Sequence, residues 1–172
     1  MKKFVTLSST MIVAAILFML AGTPPAVASD VTYSFELTGP QTATNGTQTI
    51  RLTGAGSFDP AAGTVVASGS FTIANNSTGA VVSKGTWKAT GFTSFCSRGG
   101  PNPGVQGGVL VLTVTLSPKG ESPMTGLTMT VNCLVFGPPN NADTCSPVEG
   151  EGVTVADFTT IVSGHTLFHL ND

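Results

Sequence analysis

Apolar and polar residues alternate with a period of two along almost the whole chain. In VTYSFELT, Val31, Tyr33, Phe35 and Leu37 share one side, with Thr32, Ser34, Glu36 and Thr38 on the other. Ile50, Leu52 and Phe58 repeat the pattern, as do Leu110, Leu112, Val114 and Leu116, and then Leu127, Met129, Val131 and Cys133. A strand turns successive side chains to opposite faces, whereas a helix needs an apolar stripe every 3.6 residues. No segment offers such a stripe, so the chain reads as all-β with about eight strands.

The connections decide how those strands are joined. DPAAG (Asp59 to Gly63), NNSTG (Asn75 to Gly79) and SPKGESPMTG (Ser117 to Gly126) are short and turn-like, while CSRGGPNPGVQG (Cys96 to Gly107) and GPPNNADTCSPVEG (Gly137 to Gly150) read as longer loops. Short links between successive strands favour an antiparallel up-and-down meander. Such a meander closes into a barrel or folds over as a two-sheet sandwich. The barrel is preferred, because closure removes sheet edges that a chain with only 9% charged residues does little to protect.

Two phrases sixteen residues apart, GTVVASGSFTI from Gly63 and GAVVSKGTWKA from Gly79, each place a glycine two positions before a large aromatic residue. Glycine weakens a strand interior, so its presence there asks for a geometric reason. If Phe58 pairs with Val65 and Ile73 with Val81, then Gly54, Gly69 and Gly85 form an inward row across three strands. That row would let the sheet coil and let Phe71 and Trp87 lie over bare backbone, or it would open a groove for a ligand.

Residues 1–28 have the features of an export leader: Lys2 and Lys3, an apolar run from Met11 to Gly22, and an A-x-A site at Ala26-Val27-Ala28. The remainder, 29–172, is one β domain with no expected membrane span, placed by the leader in a secreted, periplasmic or cell-surface setting in a bacterium. It carries nine acidic residues against five basic ones, Arg51, Lys84, Lys88, Arg98 and Lys119. That balance argues against nucleic acid as a partner, since phosphate binding needs a cationic surplus.

Three cysteines in an exported chain imply one disulfide and one remaining thiol. Cys96 and Cys145 sit in the two long loops, which an up-and-down meander brings to the same end, so Cys96–Cys145 is the expected bond, with Cys133–Cys145 the alternative. Cys133 alternates with core residues and reads as a buried thiol. No metal-ligand spacing is present. His165 and His169 lie four residues apart on a strand-like segment, about 13 Å at strand rise, too far to chelate one ion together.

No nucleophile elbow or phosphate loop occurs, and no cofactor is implied. The carboxylates Asp143, Glu149, Glu151 and Asp157 cluster near one loop without a calcium-loop pattern. The stretch GAGSFDPAAGTV, Gly54 to Val65, resembles hairpins of exported bacterial β domains, CHRD domains among them, and no residue role follows from it. The leading expectation is a non-catalytic β-barrel that binds a small apolar molecule or a glycan, using Tyr33, Phe35, Phe71 and Trp87 on its inner face and His165 and His169 as polar groups. The alternatives are a self-associating or adhesive surface component, and an enzyme with a histidine acid or base beside Asp157 or a loop carboxylate.

Overall fold

The computed structural model describes residues 31–102, 104–134, 145 and 150–171. The expected leader and most of the expected loop from Gly137 to Gly150, with Asp143 and Glu149, lie outside those residues.

Among the described residues the fold is all-β, one antiparallel sheet of nine strands. They are β1 (Thr32–Thr44), β2 (Gln48–Asp59), β3 (Thr64–Asn75), β4 (Val81–Asn102), β5 (Val105–Pro118), β6 (Met124–Cys133), β7 (Gly152–Val155), β8 (Thr160–Ser163) and β9 (Thr166–Asn171). Strands β1 to β7 each pair with the next, as a meander requires. The last two strands depart from it. β9 pairs with both β1 and β5, and β8 pairs with β1, so β1, β2, β3, β4, β5 and β9 form a closed ring of pairings.

Two stretches differ from their sequence expectation. The segment from Cys96 to Gly107 is the top of a long hairpin instead of a loop, because register shifts around Gly99 let the β4–β5 ladder continue to Asn102 and Val105. The strand-like segment that carries His165 and His169 is broken at Gly164-His165, between β8 and β9. The break is set by β1, whose register shifts between Leu37 and Gln41 and turns the Gln41 side chain into the interior. Gln41 Nε2 donates to His165 O at 2.8 Å, and a methyl group on Gly164 would stand 2.1 Å from Gln41 Oε1.

The repeated glycines also sit differently from the expected row. Gly54 does face Gly69, with Phe58 on Val65 and Leu52 on Phe71. A register shift at Ala74, however, pairs Ile73 with Ser83, so Gly69 faces Trp87 and Gly85 faces Phe71. The small and large residues therefore interleave, and the inner rows read Phe35–Gly56–Ala67, Leu37–Gly54–Gly69–Trp87 and Leu52–Phe71–Gly85. The Trp87 ring lies across two bare strands. A Cβ on Gly69 would come within 2.5 Å of its Nε1, and one on Gly54 within 2.6 Å of its Cζ2. Nε1 donates to Thr53 O at 2.9 Å, which satisfies the one polar atom of a side chain that is 1% exposed.

Candidate functional site

The ring differs at its two ends, and the difference begins with backbone pairing. β3 and β4 are paired from Ala74 and Val81 only as far as Ser68 and Lys88. Beyond that point β4 follows β5, and the segment Thr64–Ala67 of β3 keeps β2 as its ladder partner. An opening is left between the two strands at the end where β1 begins and β2 ends.

Aromatic side chains converge on that opening from four strands. Tyr33 stacks on Phe58 with ring centroids 5.2 Å apart and meets Phe95 at 4.9 Å. Phe58 contacts Phe92, Phe95 and Phe168, and Phe168 contacts Phe35 and Phe95. Phe35, Phe58 and Phe168 are buried, while Tyr33, Val65, Phe92 and Phe95 are partly exposed and close the opening from the solvent side. On the outer face of the same end lies an open hollow of about 240 Å³ walled by Thr32, Ser57, Asp59, Thr64, Val66 and Asn171, on the side of the sheet away from the rings.

Phe92 and Phe95 reach the inner face together only because β4 is irregular. Three residues apart, they would point to opposite sides of a regular strand. The shift between Phe92 and Ser94 sets Phe92 opposite Leu112 and Phe95 opposite Leu110, both on the inside. The alternation pattern hid these two residues, and the FTSF spacing was their only signal.

The residues anticipated as ligand-lining are split between regions. Tyr33 and Phe35 belong to the aromatic end. Phe71 and Trp87 are buried in the rows over Gly85, Gly54 and Gly69. His169 lies half-buried on β9 opposite Ser34 and Val105, with its side chain on the face opposite Phe168. His165 stands exposed in the break before β9.

His165 has a carboxylate partner. Its Nδ1 donates to Glu151 Oε1 at 2.9 Å, and the same oxygen accepts from Thr166 N at 2.9 Å. The backbone oxygen of His165 accepts in turn from Thr38 N, Thr38 Oγ1 and Gln41 Nε2. Nearby, the Asn132 side-chain amide donates to Gly150 O, and Thr166 Oγ1 donates to Asn132 O at 2.8 Å. A histidine with Nδ1 held by a carboxylate presents Nε2 outward, which is the acid–base part of a catalytic arrangement. Here the same contacts anchor the start of β9 to β1, β6 and the residue preceding β7.

Cys96 and Cys145 form the expected disulfide, with Cα atoms 5.5 Å apart, although Cys96 lies on β4 and not in a loop. Cys133 is fully buried, its Sγ 3.0 Å from Thr166 O. Among the described residues no cluster of three or more His, Cys, Asp or Glu side chains is placed to hold a metal ion, and no helix is long and apolar enough to cross a membrane. No protein-family model matches this chain, and no curated protein or solved structure matches it.

Proposed function

We propose that the chain is an exported, non-catalytic β-barrel that binds a small apolar molecule or a glycan at the aromatic end of its ring. The observation that carries this reading is the partly exposed set Tyr33, Val65, Phe92 and Phe95, gathered where β3 and β4 part. Aromatic faces stack on apolar ligands and on the C–H faces of sugars, and stiff side chains lose little entropy on binding. The ring interior behind them is filled by Phe35, Phe58, Leu110, Leu112 and Phe168, so the reading places the ligand at the mouth.

The test is an NMR titration of Ser29–Asp172 with two probes, 1-anilinonaphthalene-8-sulfonate for the apolar class and cellohexaose for the glycan class. Saturable shifts confined to Tyr33, Phe92, Phe95 and the Asp59–Gly63 turn are expected with at least one of them. Shifts elsewhere, or none with either probe, would remove the reading.

Self-association is the second reading, and a specific feature favours it. Val66 is 76% exposed on the part of β3 that pairs with β2 alone. Sedimentation at increasing protein concentration, with Val66→Lys as comparison, separates this from ligand binding: concentration-dependent association that the substitution abolishes belongs to the second reading alone.

A further inference from the structure

From Pro60 to Gly120 the chain contains no Asp or Glu, although the protein as a whole is acidic. That interval supplies β3, β4 and β5, and it holds Lys84, Lys88, Arg98 and Lys119. Cross-strand register then gathers the charge. Arg51 faces Thr72 and Thr72 faces Lys84, so two cations and a hydroxyl lie in one row across β2, β3 and β4. Lys88 follows on the same side of β4, and Lys119 N donates to Lys84 O at 2.8 Å, which brings the β5–β6 turn alongside.

Four of the five basic residues beyond the leader therefore share the outer face of β2–β5. Between Lys84 and Lys119 runs a groove of about 500 Å³, walled by Ser70, Thr72, Thr86 and Ser117. Thr53 and Ser70 share a hydrogen bond of 2.8 Å across β2 and β3 beside it. Among the described residues neither lysine has a carboxylate within ion-pair distance. An acidic protein has thus gathered four cations on one hydroxyl-rich face, with carboxylates only at its margins: Glu36, in the row of Ala55, Ser68 and Lys88, and Glu121, two residues beyond Lys119.

We propose that this face binds an anionic polysaccharide, one whose sugar rings carry carboxylate or sulfate groups. A single inorganic anion needs donors that converge on it. Lys84 and Lys88 are instead spaced about 13 Å apart along their strand, a separation suited to successive charges of an extended chain. The threonine and serine hydroxyls between them offer both donors and acceptors, matching the hydroxyls of a sugar. This face lies outside the ring and apart from the aromatic end, so the two binding readings stand or fall independently.

The test is calorimetric titration of Ser29–Asp172 with polygalacturonate, dextran sulfate and neutral dextran at low ionic strength. Binding of polygalacturonate or dextran sulfate, its affinity falling as salt is raised, is expected with none to neutral dextran. In the double variant Lys84→Gln, Lys119→Gln the affinity should fall about tenfold with a shallower salt dependence, because steering charges act additively at an exposed face. Unchanged Trp87 emission in the variant verifies that it is folded. Equal affinity of wild type and variant, equal binding of neutral dextran, tighter binding of single-stranded oligothymidylate, or salt-sensitive self-association without polysaccharide binding would each overturn the proposal.

Discussion

At the scale of single residues, the repeated glycines answer a packing demand. At Gly54 and Gly69 the missing side chains leave a space that the Trp87 ring takes from β4, while at Gly56 and Gly85 they allow a close approach of the adjacent strand, where a Cβ would stand 2.2 Å from Ala67 Cβ and 2.0 Å from Ser117 O. The requirement at Gly69 is steric, since a Cβ there would lie 1.8 Å from Thr53 O as well as against the indole. Gly69→Ala is therefore expected to destabilise the domain by about 3 kcal/mol, the upper range for overpacking a filled core. Urea unfolding followed by Trp87 emission measures it, and the native emission itself should shift as the ring is displaced. A loss smaller than about 1 kcal/mol would mean that the ring yields easily and that the site is looser than its 1% exposure implies.

At the scale of elements, β4 does the most to shape the molecule. Its first part is a partner of β3 and its second part a partner of β5 alone, and the bulges in between bend it from one to the other. Cys96 sits in the second part, tied to Cys145 across 49 residues. Constraining a loop of that length restricts the unfolded chain by an amount worth about 4 kcal/mol in the chain-entropy view. Cys96→Ser with Cys145→Ser should thus lower the urea midpoint substantially while leaving the Trp87 emission of the folded state unchanged. An altered emission would show instead that the bond holds the far end of the ring in shape.

This is also the scale at which the sequence was most and least legible. The alternation of Leu110 to Leu116 needs no correction, because that strand is regular and buries one face; that of Met129 to Cys133 places its apolar residues correctly, but Asn132 on its other face is buried as well. The pairing of Phe58 with Val65 followed from a short turn between two alternating runs. What alternation cannot register is an inserted residue. One extra residue reverses the facing of everything after it. Hence Phe92 and Phe95 stayed out of the expected site, Gly85 was set against the wrong partner, and Gln41 was not seen as an interior side chain. The disulfide was accessible for a different reason: it depends on which ends of the strands come together, and that survives a shift of register by a residue or two.

At the scale of the whole molecule, closure of the ring rests on its last strand. β9 spans Thr166–Asn171 and pairs with β1, whose residues precede it by more than a hundred positions, and with Val105 and Gln106 of β5. Its Phe168, fully buried, touches Phe35, Phe58 and Phe95, so one side chain joins three strands of the aromatic end. Pairings of such separation are made only after a long loop has been closed, which makes them late and slow steps in folding. A chain ending at Gly164 would retain every hairpin from β1 to β6 and still lack the strand that joins β1 to β5. The expected outcome is loss of the cooperative urea transition and of the blue-shifted Trp87 emission, even though Trp87 lies on β4 and makes no pairing with β9. A truncated chain that kept both would show that the β1–β6 meander is stable by itself, and that β9 covers an already folded sheet instead of completing it.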